Sequence, residues 1–225
     1  GQRVFAAGRR IGIPELGVLG SLGLTELEVR RRLRVAYFST GDELRSAGDV
    51  LAPGEIYDSN RYTLYAALHA PGIEAMDLGV VRDDPASLRA AFEMAAATAD
   101  VILSSGGVSV GDADHIKTLL EQLGRVGFWK LAMRPGRPLA FGAIAGTPFF
   151  GLPGNPVSVA ATWFQFVRPA LRHLAGEAGV RRPRGFPART LAPLKKRPGR
   201  VEFQRGILDY ADDGTPVVDS TGEQG

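Results

Sequence analysis

The run Ser104-Ser105-Gly106-Gly107-Val108-Ser109-Val110-Gly111-Asp112-Ala113-Asp114 holds the residue types that gather an anion and a metal ion in one place. Glycines let backbone N–H groups come close to a ligand, and a helix starting behind them adds its positive end. The carboxylates of Asp112 and Asp114 lie on the same turn, where a metal ion could join the anion to the protein. A tight strand-to-helix connection capped by Asp112 would use the same residues, so the run alone leaves both readings open. Neither common phosphate loop is present: the Walker Gly-Lys-Ser/Thr ending and the Gly-x-Gly-x-x-Gly pattern are both missing.

A second group is cationic. Lys130, Arg134 and Arg137 surround the turn Pro135-Gly136 and lead into Pro138. Arginine forks match the oxygens of a tetrahedral oxyanion, although a solvated turn has the same composition. The motif faces an acidic set, Glu43, Asp83, Asp112 and Asp114. Carboxylates beside cations describe a site for a phosphorylated, magnesium-bound ligand, because magnesium takes few protein carboxylates and shares phosphate oxygens. Gly151-Leu152-Pro153-Gly154-Asn155-Pro156 is another Gly/Pro loop before a helix, equally open between binding and tight connection. His69, His115 and His173 lack metal-ligand spacing, and no serine has a His/Asp escort, which argues against a hydrolytic triad.

These groups need elements to hold them. Val35–Ser39, Ile73–Val81 and Val101–Ser104 read as strands. Asp58-Ser59-Asn60 caps a helix running through Leu64 and Leu68, and Asp84-Pro85 starts one running through Leu88, Phe92 and Ala95. A helix follows over 112–123, then strands over 126–132, 139–144 and 148–152. A long helix spans 157–174, with Val157, Ala160, Ala161, Phe164, Leu171 and Leu174 on its apolar side. Strands alternating with helices predict a mostly parallel sheet covered on both faces, with ligands beyond the strands' carboxyl ends. Residues 39–43, 82–84 and 105–107 all follow strands and so share one rim.

Residues 1–32 read as a remnant of a preceding domain or a linking helix that Pro14 opens, the first dozen residues having no partners of their own. Residues 33–176 form the α/β domain, Gly176–Pro187 a linker, and 188–225 an incomplete β domain with strands over 189–194, 200–208 and 216–219. The 225 residues, 44% apolar and 23% charged, suit one sizeable core. The absence of cysteine excludes disulfides, thiol catalysis and cysteine-ligated metals, and accords with a cytoplasmic protein. The net charge of +3 is modest and the basic clusters lack interleaved aromatics, so neither nucleic acid nor a membrane is an expected partner.

Taken together, FSTGDEL (38–44), IYDSNR (56–61), LGVVRDDP (78–85), SSGGVSVGDAD (104–114), FWKLAMRPGRP (128–138), GLPGNPVS (151–158) and GRVEFQRG (199–206) resemble the molybdopterin molybdenumtransferase family, which includes bacterial MoeA and the gephyrin E domain. The resemblance implies an α/β fold: a three-layer α/β/α, MogA-like molybdopterin-binding domain with a mostly parallel sheet, then a partial small β domain. It implies insertion of molybdate into adenylylated molybdopterin with release of AMP. Glu43, Asp83, Asp114 and Lys130 would be catalytic, with Asp83 and Asp114 holding magnesium. Thr40, Asp58, Ser105, Gly106, Gly107, Arg134, Arg137, Pro138 and Arg205 would bind substrate. A homodimer is implied, with the adenylyltransferase and molybdoenzymes as partners. The alternatives are a molybdopterin adenylyltransferase or CinA-like nucleotide hydrolase, and a gephyrin-like peptide-binding scaffold.

Two departures from the family stand out. Its Lys-Pro-Gly-Lys turn has arginines here, which keeps charge but replaces point charges with forks. Its chain is also longer at both ends, so this one is expected to be weak or inactive alone.

Overall fold

The computed structural model describes residues 2–70, 72–107, 114–181, 185–196 and 198–222, and of residues 114–116 and 128 the backbone alone. Its centre is a sheet of six strands. Strand β1 (Leu33–Thr40) comes first, then two short strands, β2 (Leu44–Arg45) and β3 (Ile56–Tyr57), which pair only with each other. The sheet continues with β4 (Ile73–Val81), β5 (Val101–Ser105) and β6 (Gly124–Lys130). After the short β7 (Met133–Arg134) it is completed by β8 (Pro138–Ile144) and β9 (Thr147–Leu152). The order is β4-β1-β5-β9-β8-β6. The first four are parallel, and β8 runs antiparallel to both neighbours, so the sheet is mostly parallel as the alternating pattern requires.

Central strands covered on both faces must be apolar throughout. Val35, Ala36, Tyr37 and Phe38 of β1 and Val101, Ile102 and Leu103 of β5 are fully buried. One face packs against α3 (Pro85–Thr98) and α4 (Asp114–Leu123) through Leu88, Phe92, Ala95, Leu119 and Leu120. Phe92 sits edge-on to Phe38 at 5.2 Å and to Phe149 at 5.4 Å, a favoured aromatic geometry. The other face packs against α2 (Ser59–Leu68) and the helix over 156–174, through Leu64, Leu68, Val159, Trp163, Val167 and Leu171. The result is three layers, α/β/α.

The helix starts follow the capping chemistry. Asp84 accepts from Ala86 N at 3.1 Å and Ser87 N at 2.9 Å, with Pro85 in the first turn. Asn155 likewise accepts from Val157 N and Ser158 N.

The helix expected over 157–174 is continuous but has three parts: α5 (Pro156–Thr162), a π segment (Trp163–Val167) and α6 (Arg168–Leu174). Just before the π segment the Thr162 hydroxyl turns back to Ser158 O (2.8 Å) and Val159 O (3.0 Å). The wider turn rotates the remainder of the helix about its axis. Phe164 and Leu174, expected inside, are exposed at 50% and 39%, while Ser158, Val159 and Thr162 are buried ahead of the π segment, so the buried face is already offset from the expected one in α5. Apolar spacing could not mark Ser158 and Thr162, because they are polar residues.

Three further expectations are corrected. The strand expected over 126–132 begins at Gly124 and ends at Lys130. The strand expected over 200–208 is two: β11 (Val201–Glu202), which pairs with β7, and β12 (Gly206–Tyr210). β12 joins β13 (Pro216–Ser220) and β10 (Arg189–Thr190) in a three-stranded sheet. The first dozen residues do have partners: Ala178 N donates to Gly8 O at 2.9 Å, and Arg9 pairs with Glu15 of α1 (Ile13–Ser21).

Candidate functional site

Parallel strands put their carboxyl ends on one edge. β1, β4, β5 and β9 end there, and so does β6, because it opposes β8 and β8 opposes β9. Thr40, Asp83, Ser105–Gly107, Lys130 and Pro138 thus share one rim. Neighbouring strands lie about 4.8 Å apart, so Asp83 after β4 and Lys130 at the end of β6 are separated by about 24 Å along it. Asp83 and Lys130 therefore do not face each other closely. They are the two poles of a rim with the glycine turn between them.

At the acidic pole, Asp83 is half-buried and its N–H donates to Asp42 Oδ1 at 3.2 Å, tying the loop after β4 to the loop after β1. Glu43 is exposed, and its carbonyl accepts from Ile56 N at 2.9 Å. Asp58 is only 1% exposed and caps α2, accepting from Arg61 N at 3.0 Å. Its other oxygen is buried without a hydrogen-bond partner among the described residues. The Arg61 guanidinium grips Asp77 at 2.8 Å and reaches Ser46 Oγ at 3.0 Å, fixing α2 against β4. Asp114 opens α4, but its carboxylate lies outside the described residues, as does Asp112. Among the described residues no three His, Asp or Glu side chains gather to hold a metal ion.

The middle of the rim is built on close approach. A Cβ at Gly106 would sit 2.3 Å from Thr40 O, and its φ is +88°, so only glycine fits. Gly106 N donates to Leu152 O at 3.1 Å. The Ser105 hydroxyl is 1% exposed, accepts from Asn60 Nδ2 at 2.8 Å and leans toward Pro153 O at 3.4 Å. Asn60 Nδ2 also donates to Gly154 O at 2.7 Å. The hydroxyls of Ser39 and Thr40 are buried and unpartnered among the described residues. Asn60 was missed as a site residue. Besides its place in the IYDSNR motif, its signal in the sequence is an asparagine inside the first turn of a helix, where its propensity is poor.

At the cationic pole, Leu131 N donates to Arg137 O at 2.7 Å and closes the loop. Gly136 (φ +89°) packs onto α5, where a Cβ would lie 3.0 Å from Thr162 Cγ2. Lys130, Arg134 and Arg137 are exposed and make no ion pair among the described residues. β11 pairs with β7 through Val201 N to Ala132 O (2.9 Å) and Phe203 N to Arg134 O (2.8 Å). This leads the chain to Arg205, exposed between β11 and β12.

Residues 36–173 match the model of a family described as a probable molybdopterin binding domain. The chain belongs to that family. It is 43% identical to the molybdopterin molybdenumtransferase of Haemophilus influenzae over 225 residues, all of this chain and 56% of that protein. It is 40% identical to the Nostoc sp. molybdopterin molybdenumtransferase, over 94% of this chain and 50% of that one. A molybdopterin biosynthesis MoeA protein from Pyrococcus horikoshii superposes with a TM-score of 0.76 at 32% identity, covering 96% of this chain and 52% of its own. The chain spans about half the length of the curated relatives it matches.

For this molybdopterin-binding domain the rim is the chemically loaded surface. An open cavity of about 600 Å³ lies elsewhere, between the N-terminal segment and Glu177–Ala178. Two of its charged residues, Arg9 and Glu15, are paired with each other, and Glu177 is paired with Arg172. Among the described residues no helix is long and apolar enough to cross a membrane.

Proposed function

We propose that this chain holds the substrates of a molybdopterin molybdenumtransferase, inserting molybdate into adenylylated molybdopterin and releasing AMP. The observation that carries this reading is the two-poled rim: acids at one end, exposed cations at the other, and a tightly packed glycine turn between. A long ligand with a nucleotide phosphate and a separate anion-accepting end suits such a rim.

In this reading the backbone at Ser105, Gly106 and Gly107 receives phosphate oxygens, and Thr40, Asp58 and Pro138 border the same ligand. Lys130, Arg134, Arg137 and Arg205 bind molybdate and offset charge that develops as the phosphoanhydride breaks. Asp83 and Asp114, with Glu43 beside them, would hold magnesium. An all-oxygen donor set with one or two carboxylates fits that ion, which supplies charge neutralisation at phosphate. The active protein would be a cytoplasmic homodimer, taking its labile nucleotide from the adenylyltransferase and passing its product to molybdoenzymes.

Calorimetric titration with adenylylated molybdopterin and magnesium tests the reading. Binding to the unaltered chain, weakened tenfold or more in both Asp114→Asn and Arg134→Ala, is the expected result. No binding to the unaltered chain, or equal binding by all three, overturns it.

A further inference from the structure

We infer that Asn60 is a positioning residue, a clamp that holds the glycine turn after β5 against the loop leading into α5. Its role as a ligand-site clamp rests on the proposed function, whereas the clamp itself rests on geometry.

Both protons of the Asn60 amide are in use, one on Ser105 Oγ and one on Gly154 O. A carbonyl can only accept, so the nitrogen must be the atom facing Gly154, which fixes the amide's orientation. The residue is 8% exposed, and its own oxygen is buried with no partner among the described residues. Its hold is therefore made entirely by donation, which aspartate at this position would lose.

The bonds join segments far apart in sequence. Ser105 lies two residues beyond Leu103, which packs in the α2 and α5 layer, so strand alternation turns it toward that layer. Gly154 precedes Asn155, the cap of α5. One side chain at the start of α2 thus ties down the two loops that border the middle of the rim. Helix α2 does not need these bonds for itself: Asp58 caps it, and Leu64 and Leu68 anchor it in the core. Placing the Gly106 and Gly107 amides relative to the N-terminus of α5 is what the Asn60 bonds add.

The test uses the whole chain with Asn60→Ala, Asn60→Asp, Ser105→Ala and the Asn60→Ala/Ser105→Ala pair. Amide hydrogen exchange is followed at Gly106 and at Val157 and Ser158, together with affinity for adenylylated molybdopterin. Both Asn60 variants should speed exchange at these amides tenfold or more while α3 amides stay protected. They should also weaken the ligand tenfold or more. Ser105→Ala, which removes one of the two bonds, should have a smaller effect that does not add to that of Asn60→Ala, and it serves if the Asn60 variants fail to fold. Unchanged exchange at Gly106, or changed exchange with unchanged affinity, overturns the inference. If the unaltered chain binds no ligand, the functional reading fails, and exchange alone decides whether Asn60 clamps the loops.

Discussion

At the scale of single residues, the middle of the rim tolerates little. Gly106→Ala would force a Cβ onto the Thr40 carbonyl in a left-handed backbone. It should cost roughly 2–4 kcal/mol, read as a lowered urea midpoint with unchanged slope. Glycine in this turn was legible in the sequence, since its type and place between strand and helix are local facts. The polar roles were less so. Ser105 is a candidate by motif, yet its hydroxyl is engaged by Asn60 and lies near a backbone carbonyl, and Asp58 spends one oxygen on a cap. The cap is a local contact that the sequence shows, but the Ser105 contacts join residues 45 and 48 apart, and no spacing rule within a motif encodes them.

At the scale of elements, two loops can be tested apart from the site. Asp100, between α3 and β5, receives both Arg31 guanidinium nitrogens at 2.5 and 2.7 Å and Arg34 N at 2.8 Å. The Arg31 guanidinium above all, with the Arg34 N–H, holds its carboxyl well below the usual range, although burial opposes them. A depressed folded value stabilises the protein above the unfolded value, near 3.9, and is lost as pH falls below it. Asp100→Asn should lower stability at pH 7 by about 1–2 kcal/mol, and the gap to the parent should narrow from about pH 4 downward in thermal melts. In the hairpin between β8 and β9, Ala145 and Gly146 both have positive φ, of 46° and 84°. Ala145→Asn suits that turn and should stabilise by about 0.5–1 kcal/mol, read from the thermal midpoint. The main strands and helices were legible because period and caps are local. The π segment and the split into β11 and β12 were not, because a back-bonded Thr162 and a distant partner in β7 decide them.

At the scale of the whole molecule, charge, glycine turn and layer order converge on one edge, so the sheet itself sets the distance between the poles. The strand order also has a consequence in time. β1 is the first sheet strand to be synthesised, yet it lies inside the sheet between β4 and β5. Its fully buried Val35–Phe38 stretch must wait for residue 105 before both its edges are paired, and the next strand to dock, β9, ends at residue 152. Growing chains therefore carry an open, sticky edge through much of their synthesis, which is where a chaperone would be needed. Ribosome-bound chains arrested with residue 100 just outside the exit tunnel should be cut readily by protease near β1. Those arrested after residue 174 has emerged should resist.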